Sequence, residues 1–222
     1  MRKDVKKTKF GIMNAGKRYT GITKFLSKYY EPFDADAVAE KLSKKTGIEV
    51  NDYLAEWHNS AKEGTKTHEE IERIISQKCF DDKMGSDIKN IIDLAIYDAK
   101  LNGNWHSEMI CFNDDFNIAG IADLVIINKL EKRFIVIDFK TTKKLRFQSF
   151  GNKKMFHPFE SLDDCNYNHY QLQLNCYGLL LAIESGYQCC GMYIAHIQKS
   201  IYLYKVSDFF KILNNEMAKN VQ

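Results

Sequence analysis

Residues 106–140 constrain the fold more than any other stretch of the chain. They read as three strands in close succession, His106–Phe112, Phe116–Ile127 and Arg133–Lys140, joined by short turns at Asn113-Asp114-Asp115 and Asn128–Lys132. Strict alternation breaks down inside the last two. Leu124–Ile127 and Ile135-Val136-Ile137 are apolar at consecutive positions, the pattern of central strands covered on both faces. Helices on either side in sequence supply the cover. Upstream, Thr23 caps a short helix through Tyr30 that Pro32 stops, and Asp36–Thr46 forms a second helix ended by Gly47. Asn51 caps a longer one over Asp52–Lys78, with Leu54, Trp57, Ala61, Ile71 and Ile75 at helical spacing. Ser86 caps a fourth, striped by Ile88, Ile91, Ile92, Ala95, Ile96 and Ala99. Downstream, a basic, aromatic loop runs from Thr141 to about Asn166. A helix over Asn168–Ser185 ends at Gly186, strands follow at Gln188–Ile197 and Ile201–Val206, and Asp208 caps a last helix.

No repeat or linker interrupts this order. At 222 residues, with 45% apolar and 27% charged residues, one α/β domain over 1–222 is the economical reading. It comprises a helical region over 1–50, a core over 51–206 and a C-terminal helix over 207–222. Only 2 prolines and 12 glycines exclude a low-complexity chain. The longest uncharged stretch, Cys165–Ile183, contains three Asn, two Gln and a His and is a poor membrane span. MRKDVKKTKF has no apolar run, so a cleaved secretory signal is not expected. These features place the chain, as an expectation, in a cytoplasm and not in a membrane.

Six cysteines (79, 111, 165, 176, 189 and 190) include no C-x-x-C pair. Cys165-x3-His169-x6-Cys176 has zinc-like residue types at a spacing that matches no standard zinc module. Reduced core residues are expected. Gly11-x4-Gly16-Lys17-Arg18 resembles a phosphate loop but carries Arg where the metal-binding hydroxyl belongs, and reads as a turn.

The net charge of +3 says little, but its distribution says more. Arg2, Lys3, Lys6, Lys7 and Lys9 read as a solvated tail. Lys140, Lys143, Lys144, Arg146, Lys153 and Lys154 lie within Phe139–Phe159 without a single acid. This run directly follows a candidate active-site strand, so it is a candidate phosphate-binding surface.

Four short patterns carry the chemistry. In Asp138-Phe139-Lys140, residues i and i+2 of a strand point to one side, about 7 Å apart, so an acid can hold a metal while the lysine reaches a water. By itself the triplet is uninformative. With 29 acids and 27 lysines, chance gives about 3.5 acid-x-Lys triplets. The chain has five, starting at Asp4, Asp81, Asp87, Asp98 and Asp138, and only the last ends an apolar strand. In Gly120-Ile121-Ala122-Asp123, the acid interrupts an apolar strand, where burial is costly unless it is paired or metal-bound. Gly64 and His68 share a face of the long helix, although a lone His there also suits a core histidine. Tyr170, Gln173 and Tyr177 line one edge of the later helix beside a buried stripe of Leu172, Cys176, Leu179 and Ile183.

Taken in order, GTKTHEE, GIADLVI, VIDFKTTK and YQLQLNCY resemble the motifs of the PD-(D/E)XK nuclease superfamily. More narrowly they resemble its RecB-type branch. That branch includes the nuclease domains of bacterial recombination helicases, CRISPR adaptation nucleases, phage lambda-type exonucleases and the mitochondrial genome maintenance exonuclease. The likeness spans residues 64–178, about half the chain. It implies a restriction-endonuclease-like core, helix–three strands–helix–strand, with a central mixed sheet flanked by helices and extra N-terminal helices. It also implies one or two Mg²⁺ or Mn²⁺ ions held by Asp123, Asp138, the Phe139 carbonyl and His68. Glu108 on the preceding strand is a further, weaker candidate ligand. Lys140 would activate water, and Gln173 and Tyr177 would support it and the substrate. Lys143, Lys144, Arg146, Lys153, Lys154 and Tyr170 would contact DNA.

Several RecB-type members hold an iron–sulfur cluster with one cysteine before the His motif and three near the C-terminus. Here Cys79 already lies after His68 and no C-x-x-C triplet follows, so no cluster is expected. The implied activity is a stand-alone, metal-dependent DNA exonuclease acting at single-stranded or frayed ends in replication, recombination or repair, of the kind phages and mobile elements use. Three rivals stay open: a structure- or sequence-specific endonuclease of the same superfamily, a non-catalytic DNA end-binding module, and a metal or redox protein built on the cysteines.

Overall fold

A computed structural model describes residues 5–8, 11–14 and 16–219. The chain opens with β1 (Lys6–Thr8), β2 (Gly11–Asn14), β3 (Lys17–Arg18) and β4 (Thr20–Gly21). Four helices follow: α1 (Ile22–Leu26), α2 (Ala35–Thr46), α3 (Val50–Gln77) and α4 (Lys83–Ala99). Then come β5 (Asn104–Asn113), β6 (Ile118–Asn128), β7 (Arg133–Lys140), α5 (Asn166–Ser185), β8 (Gln188–Ile197), β9 (Ile201–Lys205) and α6 (Phe210–Ala218).

The stretch ahead of the helices is therefore not helical. β1, β2 and β3 form a small antiparallel sheet of their own, with Gly11 and Gly16 at positive φ. Lys6 and Lys7 belong to a strand, where both are exposed, and the turn expected over Gly11–Arg18 contains two paired strands. Arg2, Lys3 and Lys9 lie outside the described residues.

Three helix caps also differ from expectation; α1 starts at Ile22 after Gly21, so Thr23 lies inside it and does not cap it. The α4 cap is Asp82, whose carboxylate accepts the Gly85 N–H at 2.6 Å, so Ser86 lies inside the helix. α3 begins after Glu49, which leaves Asn51 inside it and without a capping role. α2 behaves as expected at its end, with Gly47 in the left-handed conformation at φ 77°.

The main sheet is mixed and flanked by helices. β5, β6 and β7 are antiparallel, β7 runs parallel to β8, and β9 closes the far edge antiparallel. β4 pairs in parallel with the start of β6, alongside Ile118 and Ala119. The doubly apolar runs are explained by what covers them. Leu124, Ile126, Ile135, Ile137 and Phe139 pack under α3 and α4 against Ile71, Ile74, Ile75, Ile88 and Ile92. Val125, Phe134 and Val136 face the opposite side, under Leu172, Cys176 and Leu180 of α5 and Phe25 and Leu26 of α1.

All six cysteines are free thiols, and Cys111, Cys165 and Cys176 are core residues as expected. Cys79 is not: it lies exposed just beyond α3. Among the described residues, no helix is long and apolar enough to cross a membrane.

Candidate active site

β6 and β7 form a fork, and the site sits in its opening. Their ladder ends at Leu124 opposite Ile137, and β7 then continues alongside β8 alone, as far as Lys140 opposite His196. Asp123 and Asp138 are the first residues past the last rung. With the ladder gone, the Phe139 N–H needs another acceptor, and it donates to Asp123 Oδ2 at 2.8 Å. The acid thus closes the strand pair where the backbone stops doing so.

Asp138 is 1% exposed. Its Oδ2 lies 2.6 Å from Lys140 Nζ, an ion pair, yet that oxygen has no hydrogen-bond partner of acceptable angle. Two carboxylates therefore share one lysine in a buried place. The charge left over appears on Asp123: burial first, and then the Asp138 carboxylate beside it, raise its carboxyl to about 8, against the pull of Lys140 and the Phe139 N–H. Burial lowers the Lys140 ammonium, but Asp138 and Asp123 outweigh it, so the lysine is held charged.

Helix α5 braces the lysine from the other side. Lys140 Nζ donates to Gln173 Oε1 at 3.1 Å, and Gln173 Nε2 donates to the Tyr177 hydroxyl at 2.7 Å. The ammonium also lies 4.6 Å from the centre of the Tyr170 ring. Burial, with Asp138 and Asp123 behind it, raises Tyr177 well above its ordinary value and keeps it protonated. Gly120 makes this approach possible: a Cβ there would stand 2.6 Å from Ile22 Cδ1 and 2.7 Å from Tyr177 Cε1. Asp123, Asp138, Lys140, Tyr170, Gln173 and Tyr177 are thus brought together.

Helix α3 closes the mouth. His68 Nδ1 is 3.6 Å from Asp123 Oδ2, and burial followed by the Lys140 charge lowers its pKa, which favours the neutral imidazole. Gly64 lets the helix come close, because a Cβ there would meet Thr141 Oγ1 at 3.0 Å. Glu108 lies in β5 between Ser107, opposite Leu124, and Met109, opposite Ala122. Its backbone is left-handed at φ 48°, a strained conformation for a non-glycine residue inside a strand. Its carboxylate joins His68, Asp123 and Glu72 around a small cavity and pairs with Lys7 Nζ at 3.1 Å.

Sequence reading missed Glu72 and Lys7. Glu72 was findable, since it follows His68 by one helical turn. Lys7 was not, because nothing local points from residue 7 to residue 108. Among the described residues, no group of three or more His, Cys, Asp or Glu side chains is gathered tightly enough to hold a metal ion.

The basic run lies apart from this core. Lys143 pairs with Glu56, Lys153 with Glu31, and Lys154 with Asp163. Lys144 and Arg146 are exposed, and Asn166 fixes their backbone by donating to the Lys144 carbonyl and accepting the Arg146 N–H. Three of these five basic residues therefore already have acidic partners, which the acid-free count over Phe139–Phe159 did not reveal.

No family model matches the sequence, and no curated protein does. Solved structures that superpose on the chain include the protein SSO0001, at TM-score 0.38 and 14% identity over 90% of this chain and 76% of that one. Another is a candidate exonuclease from Eubacterium rectale, at TM-score 0.38 and 13% identity over 91% and 78%. Likenesses this slight carry no argument about this chain.

Proposed function

We propose that the chain is a metal-dependent DNA exonuclease on a restriction-endonuclease-like core, hydrolysing phosphodiester bonds at single-stranded or frayed ends in replication, recombination or repair. One observation carries the reading: a buried carboxylate, a half-buried one and a charged lysine, braced by Gln173, meet where two strands part. The oxygens of Asp123 and Asp138, the Phe139 carbonyl and the neutral imidazole of His68 are donor types that suit a hard divalent cation, which would have to draw the three side chains closer together to bind them all. The raised Asp123, beside an Asp138 whose Oδ2 has only the Lys140 ion pair, expresses a surplus of negative charge that such an ion would offset. Mg²⁺ or Mn²⁺ bound there supplies charge neutralisation at the scissile phosphate and an acidified water.

The remaining work falls to the chain itself. Lys140 places its ammonium beside those carboxylates, where it can orient the attacking water or stabilise charge on the phosphate oxygens. Gln173 and Tyr177 fix the lysine, and the loop lysines with Tyr170 hold the flanking backbone.

The Lys140–Asp138 ion pair favours a second reading, in which the lysine is occupied and the fold binds DNA ends without cutting. Incubation with end-labelled linear and closed circular DNA, in Mg²⁺, Mn²⁺ or EDTA, separates the two. The exonuclease degrades only the linear DNA, and only with metal. Nicking of the circle would replace it by an endonuclease, and intact DNA throughout would leave the end-binding module.

A further inference from the structure

The segment ahead of α2, helix α3 and the loop after β7 carry aromatic rings that the core does not use, Phe33 and Phe150 exposed and Tyr53 and Trp57 half-buried. Phe33, just ahead of α2, is 71% exposed, and its ring packs edge-on at 5.6 Å against Trp57 of α3. Tyr53, one turn earlier on α3, adds a third ring 6.1 Å from Trp57. Phe150 in the loop is 79% exposed, and Lys41 of α2 sits 5.7 Å from its ring centre. Exposed large apolar residues scattered singly need no explanation, but an exposed ring paired with another, and one with a lysine over it, do.

Their position gives the explanation. Trp57 and His68 lie on the same helix, eleven residues and about 16 Å apart. Glu56, next to Trp57, pairs with Lys143 of the loop, and Gly64 touches Thr141 where that loop begins. Trp57 thus stands a few nucleotides from the fork, with Lys143 held beside it by Glu56, while Lys41 lies at the Phe150 ring. Aromatic faces beside cations suit unpaired nucleobases on a polyanionic backbone, and they cannot engage bases already stacked within a duplex.

We propose that Phe33 and Trp57, extended by Phe150, form a stacking platform for the unpaired bases of a DNA strand leading to the fork. This deepens the nuclease reading and rests on it for the direction of the strand. Binding, however, can be measured without cleavage.

The chain has 2 tryptophans, so Trp105→Phe leaves Trp57 as the sole reporter. In EDTA, a ten-nucleotide oligo-dT should quench Trp57 fluorescence to saturation. Phe33→Ala, an exposed position outside the core, should lower its affinity about ten-fold. An abasic strand of equal length should bind more weakly without quenching, and blunt duplex should compete poorly. Equal binding and quenching by the abasic strand, equal competition by duplex, or unchanged affinity in Phe33→Ala would overturn the platform and return these rings to another use, such as a protein contact. If the Trp105→Phe chain does not fold, anisotropy of labelled oligo-dT on wild type and Phe33→Ala decides the same question. Stacking without cleavage in Mg²⁺ would sink the nuclease reading alone, whereas cleavage with an unresponsive Trp57 would sink the platform alone.

Discussion

The fork between β6 and β7 and the loop between β7 and α5 both concentrate charge, but they hold it differently. In the fork, Asp138 is buried and Lys140 half-buried, and the groups answer to several others: Asp123 to the Phe139 N–H and His68, Lys140 to Asp138, Gln173 and Tyr170. In the loop, Lys143, Lys153 and Lys154 each have a single acidic partner at the surface, Glu56, Glu31 and Asp163. Exposed pairs of this kind contribute about 0–1 kcal/mol and exchange readily for other anions. A buried cluster cannot rearrange so cheaply, because any group that loses its partner is left desolvated. The fork is therefore built to fix geometry, and the loop to trade partners.

The largest expected effect tests the fork. Lys140→Ala should leave DNA affinity nearly intact and lower single-turnover cleavage of linear DNA at least ~100-fold, the scale of one lost transition-state contact. Lys6, Lys83, Lys89 and Lys100 occupy the other acid-x-Lys triplets, away from the fork. Alanine at each should change cleavage little. Equal losses across all five would remove the distinction between the fork and the rest of the surface.

Much of the fork was legible because its acids break an apolar pattern. Asp123 interrupts Ile118–Ile127, and Asp138 ends Phe134–Ile137, so both stand out in sequence. Strand β7 runs over Arg133–Lys140 and β8 over Gln188–Ile197, as the apolar runs predict. The helix starts were less legible, since Asn51 and Ser86 are cap-type residues that a preceding Glu49 or Asp82 displaces. β1 to β3 were illegible: they are short and largely polar, and they pair with one another instead of filling the core. The left-handed Glu108 and its Lys7 partner were hidden for another reason, because backbone conformation and a pairing across a hundred residues leave no local signal.

The surplus charge in the fork predicts a metal effect next. Mg²⁺ or Mn²⁺ at millimolar concentration should raise the melting temperature by mass action, and Asp138→Asn should lose most of that shift. A wild type indifferent to either cation would mean that Lys140 alone satisfies the carboxylates.

The same surplus has a pH signature with a definite sign. Between about 4 and about 8 the folded chain retains a proton on Asp123 that the unfolded chain has released. Metal-free stability should therefore fall as pH rises through that window, by up to about 1.4 kcal/mol per unit from this group. Melting curves in EDTA should show the fall in wild type and a flatter profile in Asp123→Asn. Superimposable profiles would mean that the two carboxylates are already balanced.

The smallest effect belongs to the loop and tests the other half of the comparison. If Lys143, Lys144, Arg146, Lys153 and Lys154 exchange acidic partners for phosphates, each contact releases counterions, so neutralising one residue should reduce the salt slope of log affinity by roughly 0.7 to 0.9. Lys143 and Lys153 must first leave Glu56 and Glu31, which cancels part of the gain in affinity without altering the ions released. Lys144→Gln and Arg146→Gln should therefore weaken binding more than Lys143→Gln or Lys153→Gln at one salt concentration, while all four reduce the slope alike. Glu56→Gln should strengthen binding slightly by freeing Lys143, and the rate of cleavage at saturating DNA should not change in any of them. A slope unchanged in all four would make the loop an ordinary solvated face. A loss in the saturated cleavage rate would show that the loop shares in the geometry of the fork.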